Sequence, residues 1–146
     1  MKNVSKSVLI WYSPEEMFSL VTDVSRYPEF LPWCDHGKVL EEDEAGMVAE
    51  VGISFSGVRQ DFVTRNDHIE GRRVDMRLLR GPFSRLDGGW QFVPLGDGAQ
   101  RACRVELKLQ YGFGNRALAA VVGPVFDKIA SSLVDAFVKR AEQVYG

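Results

Sequence analysis

The C-terminal stretch Asn115–Tyr145 decides the fold, and it reads NRALAAVVGPVFDKIASSLVDAFVKRAEQVY. Asn115 can cap a helix, and at about 1.5 Å per residue that helix would be about 45 Å long. Apolar residues recur in it at steps of three and four, the spacing of one helix face. They are Leu118, Val122, Val125, Phe126, Ile129, Leu133, Phe137, Ala141 and Val144. This face requires a large partner surface.

The chain before this helix predicts that partner as an antiparallel sheet. Short turns such as Ser56-Gly57, Gly81-Pro82 and Gly96-Asp97-Gly98 separate consecutive strand-like runs, which favours hairpins over parallel crossovers. The last run alternates apolar and polar residues, so one sheet face is expected to be wet and the other to cover the helix. The seven predicted strands are Asn3–Tyr12, Lys38–Glu42, Met47–Phe55, Val58–Asn66, Arg73–Leu79, Ser84–Val93 and Arg101–Tyr111.

Two short helices and a rigid loop are predicted after the first strand. Ser13-Pro14-Glu15-Glu16 forms a capping box with proline at the first helical position. Asp23 can cap a second short turn, and two prolines make Tyr27–Trp33 a rigid aromatic loop. The predicted fold class is therefore α+β: one domain, residues 1–146, with a curved seven-stranded antiparallel sheet wrapped around a long C-terminal helix.

Composition narrows the classes of function. The chain of 146 residues has 18 basic and 20 acidic residues, a net charge of -2, so no overall positive field attracts nucleic acid. Cys34 and Cys103 are too few for a disulfide framework and lack metal-ligand spacing, which favours a reducing compartment. The apolar run Val8–Tyr12 is too short for a signal-peptide core or a membrane span. We therefore expect a cytoplasmic protein.

The histidines are weak candidates for chemistry. His36 follows Asp35 and His68 follows Asp67, but side chains adjacent in a strand usually diverge, so neither pair is expected to act as an acid and base. No grouping of histidine, cysteine and acidic residues has ligand spacing on a single element. The sequence predicts no catalytic residue and no metal site.

Several motifs together carry a family resemblance. They are Ser13-Pro14-Glu15-Glu16-Met17-Phe18, Tyr27-Pro28-Glu29-Phe30-Leu31-Pro32-Trp33-Cys34, Gly81-Pro82-Phe83, Trp90-Gln91-Phe92-Val93-Pro94-Leu95 and Gly123-Pro124-Val125-Phe126. From about Val4 to Tyr145, the chain resembles the coenzyme Q-binding START-domain family of the polyketide cyclase/START superfamily. Gly88-Gly89 before Trp90 favours its bacterial branch, which includes the ribosome-association toxin. The resemblance implies a helix-grip fold.

The resemblance implies non-catalytic binding of a polyprenyl quinone, ubiquinone, between the sheet and the C-terminal helix. The protein would then be a lipid chaperone that supports respiratory electron transfer, with no other cofactor and with transient contact at the inner face of the cytoplasmic membrane. Ala119, Ala120 and Gly123 are expected to open the cavity. The expected ligand-binding residues are Phe30, Leu31, Trp33, Phe55, Phe62, Leu78, Phe83, Trp90, Phe92, Val122, Phe126 and Ile129.

An alternative function follows from the same branch: binding the large ribosomal subunit and blocking subunit joining in translation initiation, with a small antitoxin protein as a candidate partner. Residues 59–85 contain seven arginines against four acidic residues, a local excess of +3. The candidate RNA contacts are Arg59, Arg65, Arg73 and Arg77, although such arginines also form ion pairs on wet sheet faces. A third alternative is a polyketide cyclase-like enzyme.

Overall fold

This computed structural model describes residues 1–97 and 100–146. They contain one sheet, two α-helices and a 3₁₀ helix, Val24–Glu29, which follows the first α-helix. The strands are β1 Lys2–Ile10, β2 Cys34–Asp43, β3 Gly46–Phe55, β4 Val58–Ile69, β5 Arg73–Arg80, β6 Phe83–Pro94 and β7 Cys103–Phe113; the α-helices are α1 Pro14–Thr22 and α2 Arg116–Tyr145.

The seven strands form one curved antiparallel sheet in the order β1-β7-β6-β5-β4-β3-β2. β2 to β7 pair with their sequence neighbours, whereas β1 closes on β7, with Val8 opposite Val105. The predicted fold class is confirmed. Of the predicted turns, Gly96-Asp97-Gly98 lies in part outside the described residues, because Gly98 is not among them.

The second strand begins four residues earlier than predicted, at Cys34 rather than Lys38. Gly37 hides this strand in the sequence because glycine is unfavourable in strands. A Cβ atom at Gly37 would lie 2.1 Å from the carbonyl oxygen of Val24. Glycine therefore lets the 3₁₀ helix pack directly on β2.

Helix α2 packs against the concave face of the sheet. Its length and apolar composition would also suit a membrane-crossing helix, but Phe126, Ile129 and Phe137 are buried in the core. The prediction for Val144 is wrong, since this residue is 49% exposed. The last turn uses Tyr145 instead, whose hydroxyl donates to the Glu16 carbonyl over 3.0 Å.

The side chain of Glu16 joins the start of α1 to Arg101. Its carboxylate accepts from the Ser13 amide at 2.8 Å, and the Glu16 amide donates to the Ser13 hydroxyl at 3.1 Å, which confirms the capping box. Arg101, just before β7, donates to the two carboxylate oxygens at 2.8 Å each. The Arg101 guanidinium lowers the pKa of Glu16 from the ordinary 4.5 to about 2.

We predict that Glu16→Gln makes the stability of the protein less sensitive to acid. The folded state holds Glu16 ionised, so its contribution is complete above pH 4.5 and is lost as the pH falls towards 2. Glutamine can keep the capping box but cannot form the ion pair with Arg101. Alanine at position 16 loses the side-chain bonds to both the Ser13 amide and Arg101, so Glu16→Ala should lower the free energy of unfolding by about 1 kcal/mol more than Glu16→Gln. Urea unfolding at pH 7, 4.5 and 3 gives the free energy of unfolding at each pH. If this free energy fell with decreasing pH as steeply for Glu16→Gln as for the parent protein, the prediction would be contradicted.

Candidate functional site

A cavity of about 80 Å³ lies between the concave face of the sheet and α2. Its walls are mostly apolar and come from the 3₁₀ helix, the aromatic loop, the sheet and the middle of α2. The lining residues are Val24, Tyr27, Trp33, Ala49, Val51, Phe62, Thr64, Asn66, Met76, Leu86, Asp87, Trp90, Leu109, Phe126, Ile129, Ala130, Leu133 and Phe137.

Two aromatic clusters flank the cavity along α2, one around Phe126 and one around Phe137. Around Phe126 lie the rings of Tyr111, Phe83 and Phe62, with centroids 4.7, 4.8 and 6.3 Å away. Around Phe137 lie the rings of Phe30, Trp90 and Tyr27, at 5.1, 5.2 and 5.5 Å. The two helix positions are about 16 Å apart at 1.5 Å per residue. The smaller residues Ile129, Ala130 and Leu133 lie between them.

Polar groups are few in this lining. Thr64 and Asn66 are 5% and 7% exposed, and the Thr64 hydroxyl donates to Asn66 Oδ1 over 2.7 Å. The Tyr27 hydroxyl donates to the Val21 carbonyl, and burial raises the pKa of Tyr27. The Asp87 carboxylate accepts from Arg85 at 2.8 Å. Among the described residues, the side chains of Thr64 and Asn66 form hydrogen bonds only with each other.

Part of the predicted ligand-binding set meets at the cavity. Trp33, Phe62, Trp90, Phe126 and Ile129 line it. The others lie elsewhere: Phe30 and Phe55 line surface grooves, Leu31, Phe83, Phe92 and Val122 are buried in the core, and Leu78 is partly buried. Sequence reasoning did not single out Thr64, Asn66 or Ala130. The alternation of β4 predicts the positions of Thr64 and Asn66, because they follow Phe62 at steps of two and so face the same inward side of the strand.

The expectation that Ala119, Ala120 and Gly123 open the cavity is wrong. Ala119 and Ala120 are exposed at the start of α2, and Gly123 is buried but does not line the cavity. The aromatic loop packs instead against the C-terminal half of the helix, where the Phe30 ring contacts Phe137. The small residue of α2 that borders the cavity is Ala130, which is fully buried.

Trp33 separates the cavity from two surface grooves. It lines the cavity, a groove of about 100 Å³ beside Phe55 and Lys128, and a groove of about 480 Å³ beside Phe30 and Lys139. Sites for drug-sized molecules have volumes of about 300–1,000 Å³. The cavity must therefore enlarge to admit such a molecule, and movement of Trp33 would connect it to the surface.

The outer face of the sheet carries the predicted RNA-contacting arginines, each paired with an acidic residue. Arg59 is 78% exposed, whereas Arg65 is 16% exposed and its two carboxylate partners raise its pKa. The pairs are Arg59–Asp35 at 3.2 Å, Arg65–Asp43 and Arg65–Asp67 at 3.0 Å, Arg73–Asp75 at 2.9 Å and Arg77–Asp67 at 3.3 Å. Local ion pairs thus offset much of the positive charge of this face.

Contrary to expectation, Asp35 and His36 are in contact. The β2–β3 register shifts between Cys34 and His36, so a bulge at Asp35 brings both side chains to one side. His36 Nδ1 lies 2.7 Å from Asp35 Oδ1, and Nε2 lies 3.1 Å from Glu50 Oε2. Gly52 leaves the room, since a Cβ there would lie 2.4 Å from the imidazole ring.

Asp61 of β4 completes this cluster on the outer face. Asp35, His36 and Asp61 are close enough to hold one metal ion, a grouping hidden from the sequence because two strands supply it. Arg59 lies 3.2 Å from Asp35, and Arg80 lies 3.8 Å from Glu50. The carboxylates therefore already have cationic neighbours, and the expected absence of a metal site stays a prediction.

The remaining candidates for chemistry are held in unreactive settings. Burial raises the pKa values of the Cys34 and Cys103 thiols to about 11, so both are protonated at neutral pH. The His68 ring packs edge-on against Phe18 with centroids 5.6 Å apart, and its Nε2 is buried without a partner among the described residues. Burial lowers the pKa of His68 and favours the neutral imidazole.

Comparison with known proteins adds relatives of two kinds. The chain is 47% identical to the ribosome association toxin RatA of Vibrio cholerae over 146 residues, which is all of this chain and 99% of that protein. It is 29% identical to the mitochondrial coenzyme Q-binding protein COQ10 homolog B of Xenopus laevis over 143 residues, covering 97% of this chain and 59% of that protein.

Similarity in fold extends to an enzyme. The crystal structure of the Zhui aromatase/cyclase from Streptomyces sp. R1128 superimposes with a TM-score of 0.80 at 18% identity, covering 99% of this chain and 96% of that chain. At this identity the likeness concerns the fold alone. The family model described as polyketide cyclase / dehydrase and lipid transport matches residues 10–138. The chain therefore belongs to the polyketide cyclase / dehydrase and lipid transport family, and its resemblance is to the bacterial branch that includes RatA.

Proposed function

We propose that this protein binds a polyprenyl quinone, ubiquinone, in the cavity between the sheet and α2, and acts as a lipid chaperone in the cytoplasm. The observation that carries the proposal is the largely apolar cavity between Phe126 and Phe137. A long isoprenoid tail needs such surroundings outside the bilayer, because each CH₂ group transferred from water to an apolar site contributes about 0.8 kcal/mol. The similarity to a coenzyme Q-binding protein supports this ligand class.

The proposed route of entry passes Trp33. Rotation of its indole would join the cavity to the groove beside Phe55 and Lys128 and to the groove beside Phe30 and Lys139. Apolar side chains with lysines around them suit brief contact with a membrane surface carrying anionic lipids. The tail would extend along this opened path while the head occupies the interior.

The proposed role is binding without catalysis. The buried thiols are protonated at neutral pH, as their raised pKa values require. The Asp35–His36 pair lies on the outer face of the sheet, away from the cavity. Relatives named as a toxin and as a binding protein agree with a non-enzymatic role, while the aromatase/cyclase shares the fold.

We predict that Ala130→Leu abolishes quinone binding while the protein remains folded. The larger side chain fills the cavity, and filling a void offsets the usual overpacking cost of about 1–3 kcal/mol. Ala120→Leu is the matched control, because it makes the same change at an exposed position of the same helix. The measurement is native mass spectrometry with organic extraction and lipid analysis, on protein purified gently from a quinone-producing host.

A stoichiometric quinone in the parent protein and in Ala120→Leu, but not in Ala130→Leu, is the expected result. Equal quinone content in all three proteins would contradict binding in this cavity. A parent protein that carries no quinone and takes up none when it is added would refute the proposed ligand.

A second candidate function is association with the large ribosomal subunit and inhibition of subunit joining. It is favoured by the full-length similarity, at 47% identity, to a protein named ribosome association toxin. The proposed contact surface is the outer face of β4 and β5, where Arg73 and Arg77 are 45% and 62% exposed. Their pairing with aspartates implies that phosphate must displace those carboxylates, so binding would weaken steeply with salt. A small antitoxin protein is the proposed regulator of this activity.

We predict that Arg73→Glu combined with Arg77→Glu abolishes ribosome association and leaves quinone uptake unchanged. The double variant places negative charge where RNA phosphates would approach. Arg26→Glu combined with Arg116→Glu is the control, since it makes the same change of charge on exposed residues away from this face. Co-sedimentation with large subunits in sucrose gradients at low and high salt measures it. Equal co-sedimentation of both double variants and the parent protein would exclude this surface.

A further inference from the structure

We propose that the Asn66 side-chain amide is the polar anchor of the cavity and donates a hydrogen bond to a carbonyl oxygen on the head group of the bound lipid. The inference rests on the proposed quinone function and deepens it, because it names the group that recognises the head. It also assigns Thr64 a role, as the residue that orients this amide.

The first argument is a hydrogen-bond donor without a protein partner on a side chain that lines the cavity. Asn66 is 93% buried and lines the cavity from the concave face of β4. Its Oδ1 accepts from the Thr64 hydroxyl at 2.7 Å, and among the described residues its Nδ2 has no hydrogen-bond partner. The Nδ2 atom itself is not sealed off, because His68 Nε2 is the buried side-chain atom without a partner among the described residues. A carbonyl oxygen of a ligand in the cavity would therefore take the place of water at this donor.

The second argument is that the other side-chain oxygen atoms of the lining are occupied. The Tyr27 hydroxyl is bound to the Val21 carbonyl, and the Asp87 carboxylate is held by Arg85 on the outer face. Among the residues described, the lining holds no lysine and no arginine. Besides the indole N–H groups of Trp33 and Trp90, Asn66 therefore offers the side-chain donor that can recognise a polar head from within the cavity.

The third argument concerns the chemistry of that head. An N–H donor selects an acceptor, so a carbonyl fits and a hydroxyl that must donate fits less well. An anionic head such as a carboxylate is disfavoured, because burying a charge among apolar residues without a cationic partner is costly. An uncharged carbonyl compound with a long apolar tail meets both conditions.

Thr64 is a positioning residue in this scheme. Thr64 and Asn66 are two residues apart on β4 and face the same side, where the hydroxyl holds the carbonyl end of the amide. This bond leaves Nδ2 as the group presented to the ligand. Removing the hydroxyl frees the amide to rotate, so selectivity should weaken while the donor remains present.

The test compares two probes with the same tail. A short-chain ubiquinone and a benzene bearing the identical isoprenoid tail, but no carbonyl group, compete at equal concentration for the full-length protein, and native mass spectrometry gives the ratio bound. We expect the parent protein to prefer the quinone about ten-fold, as one buried hydrogen bond provides. Asn66→Leu should bring the ratio close to one, and Thr64→Val should give an intermediate value.

The outcomes separate this inference from the proposed function. If the parent protein and Asn66→Leu bind the quinone with the same preference, the anchor is refuted while quinone binding stands. If the parent protein binds neither probe, the proposed function itself fails, and the anchor with it. A polyprenol that outcompetes the quinone would show that a carbonyl is not the preferred group, which also overturns the inference. Should Asn66→Leu fail to fold, Thr64→Val carries the test, because it keeps the amide and removes only its orientation.

Discussion

The apolar face of α2 is the constraint on which the rest of the structure depends. A helix of this length can leave water only if a single large surface covers it, and here a curved sheet provides that surface. The inward faces of β3 and β7 are accordingly apolar, while their outward faces carry charged residues. The bond from the Tyr111 hydroxyl to Asp127, 2.5 Å long, fixes the helix on β7. Cavity, loop and outer face all follow from this arrangement.

The packing of α2 on the sheet produces two different surfaces, an apolar cavity inside and a charged face outside. Inside, bulky aromatic rings around Phe126 and Phe137 hold the sheet and helix apart, and smaller residues such as Ala130 leave the space between them. Outside, arginines and aspartates alternate along the strands and largely balance one another. Because alternate residues of a strand face opposite sides, different residues form the two surfaces. A carrier role and a ribosome-binding role are therefore compatible on the same domain.

The sequence predicted those features that depend on local patterns. Three-and-four spacing identified α2, alternation identified the two faces of β7, and Ser13-Pro14-Glu15-Glu16 identified the start of α1. It could not predict features that depend on the approach of distant segments. The bulge that brings Asp35 to His36 arises from pairing with β3. The volume of the cavity likewise depends on which rings of the loop reach Phe137, about a hundred residues later in the chain.

The pairing of β1 with β7 delays folding while the chain is being synthesised. Lys2 lies opposite Tyr111, so the first strand must wait for nearly the whole chain before it can find its neighbour. The apolar faces of the strands stay uncovered until α2, which follows all seven strands in the chain, leaves the exit tunnel. Folds dominated by such long-range contacts form slowly and expose apolar surface while they do so. We therefore expect nascent chains to depend on chaperones until α2 is available to cover the sheet.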